Sequence, residues 1–542
     1  MLRFALALSA LAASVMGQTS SNSVTLPYAT YVGNQSYSNV VAYLGIPYAE
    51  PPLGNLRFRA PVTLNTSRIT ASADGNSIQA TTYPEFCVQG TTHHGDYGGA
   101  GTEDCLKVNV YTPAGATEGD DYPVLVYTHG GGFVYGNPRN WPFDPWVHQS
   151  PNVVIVSIYY RLDAFGFLAS TAMATDSSLG DLNAGFLDQT QALRWVQDYI
   201  SYFGGNPNHV TINGQSAGAT NIELHMISTV GRDLFQGAII QSTYRAPLQT
   251  PAESQPLFEW LTSYIGCTGS DAAIMACMRN ASVATIAYAQ DYAYIGPGFN
   301  ASLYNEFHPV LDGTIFTGYP TALFQSGDFA QVPLLIGSTS NETLSSGGNI
   351  PLSLESFFPS ITQAEITNIT ALYPLSEFAN ASQRYQVLTG EPDVICGRQA
   401  LGVPSSQYSN VWSYRYNTPN PTTNSPYVAH SAENWMMFQG INTGPNGSGT
   451  FTTQTPVELS FAAELIGYWL SFVRVWNPNT YKLSTSPEWD QYRPGNSEAV
   501  RLVLQQDPAG LTTQSGSYME TQPVNETERC DYIISIVQDL QN

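Results

Sequence analysis

Residues 210–218 read Val-Thr-Ile-Asn-Gly-Gln-Ser-Ala-Gly, and this stretch decides the fold class. The run at 210–213 has the composition of a buried strand, and the residues after Ser216 have the spacing of a helix through Leu224 and Met226. The bare pattern glycine-x-serine-x-glycine is common by chance, so the flanking strand and helix carry the argument. The glycines permit a turn tight enough to hold Ser216 exposed at the strand end, within reach of a base. The stretch predicts a nucleophilic serine.

The alternation of strand and helix continues outward from this stretch in both directions. Several runs are apolar without interruption, which is typical of strands covered on both faces of a mostly parallel sheet. Residues 186–203 have helical spacing and end at Gly204-Gly205, and residues 465–472 repeat that spacing. No repeat, linker or charge block divides the chain, so residues 18–542 are expected to form one elaborated domain. The predicted strands are residues 124–128, 153–160, 210–213, 238–241, 332–337 and 411–416.

A serine hydroxyl is a poor nucleophile, so it needs a histidine as base and a carboxylate to orient that histidine. Of the eight histidines, His225 falls on the helix that follows Ser216, and His129 opens a glycine run. Five others lie in loop contexts or before a proline. His430, downstream of the strand that ends near residue 416, is left as the candidate base. The remaining histidines are His93, His94, His148, His209 and His308.

The segment His-Gly-Gly-Gly-Phe at 129–133 follows a predicted strand directly. Acyl transfer needs N–H groups aimed at a developing oxyanion, and glycines expose their backbone N–H groups. We therefore expect an oxyanion hole formed by the N–H groups of Gly131, Gly132 and Ala217. No H-E-x-x-H motif and no metal-ligand spacing of cysteine and histidine occurs, so neither a metal nor another cofactor is expected.

The charge balance excludes several partners. The chain of 542 residues has 19 lysines and arginines against 42 aspartates and glutamates, for a net charge of −23. Nucleic acid and anionic membrane surfaces are therefore not expected as partners. Charged residues are only 11% of the chain while apolar residues are 43%, which indicates a large apolar core.

The N-terminus has the features of a secretory signal peptide. Arg3 precedes an apolar run from residue 4 to 16, and Gly17 supplies a small side chain at the cleavage site. We therefore expect residues 1–17 to be removed and the mature protein to be secreted and extracellular. The apolar run is too short to span a membrane, and no later segment is longer, so no membrane span is expected.

Because the chain is expected to be secreted, we expect disulfides among its six cysteines and N-linked glycans at its N-x-S/T sequons, of which there are nine. Six cysteines can pair in 15 ways. Spacing favours two local disulfides, Cys87–Cys105 and Cys267–Cys277, which leaves Cys396 to join Cys530. The sequons begin at Asn34, Asn65, Asn280, Asn300, Asn341, Asn368, Asn380, Asn446 and Asn525.

From about residue 40 to 489 the sequence closely resembles the type-B carboxylesterase and lipase family, the cholinesterase-like branch of the α/β-hydrolases. It is most similar to the secreted fungal carboxylesterases of that family. The resemblance rests on several ordered motifs rather than on the serine pattern alone. They are YLGIPYAEPPLGNLRF at 43–58, EDCLKVNVYTP at 103–113, HGGGF at 129–133, YRLDAFGFL at 160–168, FGGNPNHVTINGQSAGA at 203–219 and WNPN at 476–479.

The resemblance implies an α/β-hydrolase fold, an α/β architecture with a large, mostly parallel central sheet flanked by helices. It also implies that the carboxylate is Glu342, which follows the strand-like PLLIG, so that the order is Ser216, Glu342, His430. A glycan on Asn341 would then adjoin a buried catalytic group. By the same resemblance two structural ion pairs are expected, Arg57–Glu103 and Arg161–Asp188.

The sequence departs from the family pattern at two places that bear on the substrate. Gln215 stands where the family usually has glutamate, and the loop from Cys87 to Cys105 has no tryptophan to bind a quaternary ammonium group. Both departures argue against choline esters. That loop is also short beside the lid of interfacial lipases. After Ser242 the family often has glycine, and Thr243 stands here.

Together these features predict a serine carboxylesterase that hydrolyses neutral, short- to medium-chain esters of small molecules. A lipase or a sterol or aromatic-acid esterase of the same fold is the alternative. A non-catalytic adhesion module and a glycosidase are less well supported, because the serine, glutamate and histidine are all present and no carboxylate pair suggests sugar cleavage. The sequence leaves the oligomeric state open. The predicted apolar walls of the substrate pocket are Phe133, Trp141, Phe143, Trp435, Met437 and Phe438.

Overall fold

The computed structural model describes residues 22–90, 100–295, 307–423, 425–443, 449–494 and 499–542. The predicted signal peptide lies outside these residues, as do the sequons at Asn300 and Asn446. The strands are β1 (Ser23–Leu26), β2 (Ala29–Tyr37), β3 (Val40–Pro47), β4 (Ile78–Ala80), β5 (Lys107–Pro113), β6 (Tyr122–Thr128), β7 (Val154–Ile158), β8 (Gly205–Gln215), β9 (Gly237–Gln241), β10 (Leu334–Thr339), β11 (Val411–Tyr416), β12 (Ile441–Thr443), β13 (Gly449–Phe451), β14 (Val500–Leu504) and β15 (Tyr518–Thr521).

Helices cover both faces of the sheet that these strands form. They are α1 (Thr66–Ala73), α2 (Asp144–Gln149), α3 (Asp163–Phe167), α4 (Thr171–Thr175), α5 (Ala184–Tyr199), α6 (Ala217–Ile227), α7 (Pro251–Ile265), α8 (Asp271–Asn280), α9 (Val283–Ile295), α10 (Pro320–Ser326), α11 (Ile350–Phe357), α12 (Gln363–Ala371), α13 (Ala381–Gly390), α14 (Gly397–Ser405), α15 (Ala432–Met437), α16 (Pro456–Val475), α17 (Val524–Ser535) and α18 (Val537–Leu540).

The central sheet runs in the order β1-β2-β3-β5-β7-β6-β8-β9-β10-β11-β14-β15, with β4 paired to β2. Its middle, from β7 to β14, is parallel throughout, and its two flanks are antiparallel. This is the large, mostly parallel sheet that the sequence predicts. The parallel middle directs the carboxyl ends of β6, β8, β9, β10 and β11 to one edge, where ligands bind in open α/β sheets.

All six predicted strands are present, with shifted ends. β10 begins at Leu334 rather than at 332, because Pro333 has no N–H to donate to a neighbouring strand. β8 is longer than predicted, since its first residue, Gly205, pairs with Tyr122 of β6. The helix predicted over 186–203 is α5 followed by a 3₁₀ turn at Ile200–Phe203, and Gly204 ends it with φ of +83°.

Alternate residues of the central strands enter two separate hydrophobic clusters, one on each face of the sheet. On β6, Val124 and Val126 join one cluster while Leu125 and Tyr127 join the other. All four are buried. This placement explains why the strands read as unbroken apolar runs rather than as alternating patterns.

Two local disulfides, one long-range disulfide and two buried ion pairs cross-link the chain. The disulfides join Cys87 to Cys105, Cys267 to Cys277 and Cys396 to Cys530, as predicted from spacing. The predicted pairs Arg57–Glu103 and Arg161–Asp188 are both buried and two-pronged, with each arginine donating to both carboxylate oxygens. Within the described ranges, no helix is both long and apolar enough to cross a bilayer.

Candidate active site

Ser216 lies in a strained turn between β8 and α6. Its φ of 59° and ψ of −130° are rare for a residue with a side chain, and such strain costs about 1–3 kcal/mol. The Ser216 N–H donates to the carbonyl of Gln241 on β9, at 2.9 Å, which fixes the turn to the neighbouring strand. The serine side chain is therefore presented at the carboxyl edge of the parallel sheet.

The two glycines of the serine pattern are required by close packing. A Cβ atom at Gly218 would lie 2.2 Å from the carbonyl oxygen of Thr128, the last residue of β6. A Cβ at Gly214 would lie 2.3 Å from the backbone of Gly218. Glycine at both positions thus lets α6 start directly against β6 and β8, and this brings Ser216 beside the 129–133 segment.

Glu342 and His430 reach the same edge of the sheet from the ends of β10 and β11. Glu342 follows β10, and His430 lies 14 residues beyond the end of β11. Asn341 and Ala429 form an isolated parallel bridge that places the two side by side. The Asn341 N–H donates to the Val428 carbonyl at 3.0 Å, and its side-chain oxygen accepts from the Val428 N–H at 2.9 Å. Asn341 therefore has a structural role beside Glu342.

The three predicted residues form one continuous hydrogen-bonded chain. The distance from Ser216 Oγ to His430 Nε2 is 2.7 Å, and the distance from His430 Nδ1 to Glu342 Oε2 is 2.5 Å. Each ring nitrogen of the histidine faces a different partner, so the neutral tautomer with hydrogen on Nδ1 leaves Nε2 free to accept the serine proton. This arrangement can activate a serine hydroxyl.

Glu342 is completely buried and held as an anion. Its Oε1 accepts hydrogen bonds from Ser242 Oγ at 2.6 Å and from the Thr339 N–H at 2.5 Å. Burial alone would raise the pKa of Glu342. The charge of His430 and hydrogen bonds from His430, Ser242 and Thr339 outweigh burial, and the pKa lies below its usual value.

His430 differs from the other buried histidines in its ionisation. Burial lowers the pKa of a histidine, and it brings the pKa of His129 to about 4 and that of His225 to about 3. Burial acts on His430 as well, but the charge and hydrogen bond of Glu342 reverse the effect and raise its pKa. Among these three histidines, only His430 has a pKa above the usual histidine value.

The residues of the predicted oxyanion hole lie beside the serine. Gly131 and Gly132 line the same cavity as Ser216, with φ of +115° and +62°. A Cβ at Gly131 would overlap the Tyr135 carbonyl, so this conformation needs glycine. Ala217 is the first residue of α6, where a backbone N–H has no acceptor within the helix. The turn therefore supplies N–H groups suited to an anionic oxygen.

A cavity of about 360 Å³ opens beside Ser216. Its size falls within the usual range for small-molecule sites. Its lining consists of Gly131, Gly132, Val134, Tyr135, Trp141, Gln215, Ser216, Tyr244, Leu344, Asn420, Thr423, Ala429, His430, Ser431, Ala432, Asn434, Trp435, Ile441 and Asn442.

The predicted substrate walls need correction. Trp141 and Trp435 line the cavity, but the other four predicted wall residues do not. Phe133 packs against Phe167, and Phe143 packs edge-on against Trp146. These four side chains face the core because they fill the space between the sheet and its helices. They are Phe133, Phe143, Met437 and Phe438, all of them buried.

The structure adds cavity residues that no sequence motif marked. Asn434 Nδ2 donates to Gln215 Oε1 at 3.0 Å, and Gln215 Nε2 lies 3.4 Å from His430 Nε2. Glu433 is a second buried carboxyl near the triad, and burial followed by the charge of Glu342 raises its pKa to about 7. The sequence signal that could have identified Glu433 is its position three residues after His430, on the first turn of α15.

One group of possible metal ligands comes together within the described part of the chain, formed by Glu391, Cys396 and Cys530. The two sulfur atoms are bonded to each other in a disulfide, so neither can serve as a thiolate ligand. This group lies apart from the cavity at Ser216.

The chain was compared with known proteins. The model of the carboxylesterase family matches residues 20–351. Acetylcholinesterase of Bungarus fasciatus is 30% identical over 507 residues, with 86% of this chain and 80% of the relative covered. Acylcarnitine hydrolase of Mus musculus is 30% identical over 497 residues, covering 84% of this chain and 82% of that protein.

A solved structure supports the same assignment. The crystal structure of Aspergillus niger EstA superposes with a TM-score of 0.82 and 28% identity, and the match covers 96% of this chain and 99% of that one. The fold is thus that of the α/β-hydrolases. The chain matches the family model, relatives along most of their length, and a solved structure with this fold. The protein therefore belongs to the carboxylesterase family of serine ester hydrolases.

Proposed function

We propose that the protein is a secreted carboxylesterase that acts through an acyl-enzyme on Ser216, with His430 as base and Glu342 as the orienting carboxylate. The observation that carries the proposal is the unbroken chain of contacts from Ser216 Oγ through His430 to Glu342, at 2.7 and 2.5 Å. No other described histidine has both a serine and a buried carboxylate at its two ring nitrogens.

The geometry supports a two-step reaction. His430 Nε2 accepts the proton of Ser216 as its oxygen attacks the ester carbonyl, and the N–H groups of Gly131, Gly132 and Ala217 stabilise the oxyanion. His430 then donates the proton to the departing alcohol, which leaves the acyl group on Ser216. Water repeats the sequence and releases the acid. Glu342 stays ionised and stabilises the imidazolium formed in each step.

The cavity favours neutral esters of modest size. At about 360 Å³ it accommodates a short- to medium-chain ester. Its described lining residues include no aspartate, glutamate, lysine or arginine, so a cationic substrate gains no counter-charge from the lining. Choline esters are therefore poor candidates, although an acetylcholinesterase is among the relatives.

We further propose that residues 1–17 are a signal peptide, that residues 18–542 form one domain, and that glycans occupy exposed sequons. The three disulfides support an oxidising compartment. Asn341 is the sequon least suited to a glycan, because its side chain bonds the backbone of Val428 beside Glu342.

The test is turnover of p-nitrophenyl butyrate by the wild type and by Ser216→Ala, together with labelling by a serine-directed organophosphate. We expect Ser216→Ala to lose at least about a thousandfold in kcat/KM and to lose the label. The matched control is Ser72→Ala, at an exposed position on α1, which is expected to keep both. Equal turnover by Ser216→Ala would refute the proposal.

A further inference from the structure

The cavity wall on the His430 side is polar and uncharged. We call it the polar wall. It replaces part of the apolar lining that the sequence predicts, and its side chains carry only amide and hydroxyl groups. The residues of the polar wall are Gln215, Asn420, Thr423, Ser431, Asn434 and Asn442.

The reaction itself determines which half of a substrate meets this wall. The departing alcohol must receive its proton from His430 Nε2, so the alcohol oxygen has to lie beside that nitrogen. Gln215 Nε2 is 3.4 Å from the same nitrogen, and Asn434 holds Gln215 in place through its own amide at 3.0 Å. Ser431 directly follows His430 in the chain. Gln215 of the polar wall therefore lies beside the proton donor, with Asn434 in contact with it.

The outer part of the wall is fixed by hydrogen bonds between elements. Asn420, beyond the end of β11, donates from Nδ2 to Asn442 Oδ1 on β12 at 2.8 Å. Asn442 Nδ2 in turn donates to Thr422 Oγ1 at 3.0 Å. Asn420 Oδ1 already accepts from the N–H and the hydroxyl of Thr422, but Asn420 and Asn442 each keep one amide N–H, and Asn442 Oδ1 keeps one lone pair, for a ligand. The wall is thus a preorganised array of neutral hydrogen-bonding groups.

Such an array discriminates between alcohols. An apolar alcohol would displace water from the amides and leave unpaired those that it covers, at a cost of up to about 1–3 kcal/mol for each group that becomes buried. A polyhydroxylated alcohol pairs with them instead, and a site built to bind hydroxyls rejects the analogue without them. A charged alcohol finds no opposite charge on the wall.

From this geometry we infer that the natural substrates are esters whose alcohol half is a neutral polyol, such as glycerol or a sugar. The inference rests on the proposed function, since it requires His430 to be the proton donor to the alcohol. It assigns Gln215, Asn434 and Asn442 to recognition of that alcohol. The acyl half is left to the remaining lining, which includes Val134 and Leu344.

The test holds the acyl group constant and changes the alcohol. Values of kcat/KM are measured for the butyrate monoesters of 1-butanol, glycerol, glucose and choline, and for tributyrin, which has no free hydroxyl. We expect the glycerol or the glucose monoester to exceed the 1-butyl ester by about tenfold or more, and to exceed tributyrin. The glycerol and glucose arms show which polyol fits better.

Variants of the polar wall test whether it causes a preference for polyol esters. Asn434→Leu and Asn442→Leu keep the branched arrangement of four side-chain heavy atoms while removing the amide, and each is expected to lower the polyol-to-butyl ratio about fivefold. Two positions are used because either variant alone could disturb folding. Asn76→Leu, at an exposed position far along the chain from the cavity residues, should leave the ratio unchanged.

Failure of the inference can be told from failure of the proposed function. If p-nitrophenyl butyrate is hydrolysed in a Ser216-dependent way but the polyol-to-butyl ratio is near one, or is unchanged in both wall variants, the inference is wrong and the proposed function stands. Preference for tributyrin or for the choline ester also overturns it. If p-nitrophenyl butyrate is not hydrolysed, both fall together.

Discussion

Glu342 and His430 show how two residues set each other's ionisation. Glu342 is buried, and burial by itself would favour its neutral form, but the imidazole and the donors from Ser242 and Thr339 keep it anionic. In return, the glutamate raises the pKa of His430 against the effect of burial. A base of this kind works only while the imidazole is neutral, so its pKa fixes the acid limit of activity.

Glu342→Gln tests this coupling. We expect kcat/KM to fall by about a thousandfold or more, because the amide no longer stabilises the imidazolium. Removing the negative charge also removes the main effects that raise the His430 pKa, and burial, which lowers it, is then opposed only by the smaller effect of Glu433. In the wild type we expect the midpoint of the acid limb of the pH profile to lie above the ordinary histidine pKa. In Glu342→Gln this midpoint should therefore move to lower pH. An unchanged or higher limb would contradict the coupling.

The residue at position 215 determines how the cavity responds to the charge of a substrate. Gln215→Glu places a carboxylate near the His430 imidazole and inside the cavity. We expect the ratio of kcat/KM for choline butyrate over 1-butyl butyrate to rise by about fivefold, equivalent to about 1 kcal/mol of attraction. Gln331→Glu adds the same charge at an exposed site and should not change the ratio. A ratio that stays constant in both would mean that Gln215 does not face the alcohol.

The site residues differ in how far the sequence predicts them. Ser216 and the 131–132 glycines belong to a motif with a strand before it, and they line the cavity as expected. Phe143 and Met437 are predicted as walls because apolar acyl chains need apolar pockets, but an apolar side chain fits a core equally well. Asn434 and Asn442 had no signal at all, since an amide in a loop has the same composition whether or not it faces a cavity.

At the scale of elements, the contact between α6 and β6 places the nucleophile. Gly218→Ala would put a Cβ 2.2 Å from the Thr128 carbonyl and push the helix away from the strand. We expect a loss of about 2–4 kcal/mol in the free energy of unfolding and a strong loss of activity. Thermal unfolding by circular dichroism and the p-nitrophenyl butyrate assay measure the two effects.

Gly467→Ala is the matched control for that substitution. Gly467 lies inside α16, and a Cβ there meets its nearest neighbour, Leu483 Cγ, at 3.5 Å, an ordinary contact. Alanine has the higher helix propensity, so stability should be unchanged or rise by up to about 1 kcal/mol. If Gly218→Ala were tolerated as well as Gly467→Ala, close packing could not be the reason for the glycine.

The elements themselves were predictable where they are buried on both faces. β6, β7 and β9 are mostly apolar along their length, and each was found from composition alone. The strands of the antiparallel flanks were not predicted from composition. β2 reads ATYVGNQSY, with polar residues and a glycine, because part of it is exposed. Such strands are held by pairing with neighbours distant in sequence, as β3 pairs with β5, and this pairing leaves little local signal.

At the scale of the whole molecule, the Cys396–Cys530 disulfide ties the start of α14 to α17 across a separation of 134 residues. Loop-closure entropy predicts that removing it costs about 5 kcal/mol, against about 3 kcal/mol for Cys267–Cys277, whose separation is 10. We expect Cys396→Ala with Cys530→Ala to lower Tm more than Cys267→Ala with Cys277→Ala. The reverse order would indicate that local strain or denatured-state structure dominates.

The central claim is that three side chains from the ends of β8 and β10 and from the segment after β11 act together on one ester carbonyl. The most direct test is to quench the wild type with acid during turnover of p-nitrophenyl butyrate and to map the butyrylated peptide by mass spectrometry. The account predicts a butyryl group on Ser216 that does not form in His430→Ala. Butyrylation of a different residue, or steady turnover with no covalent adduct on Ser216, would contradict it.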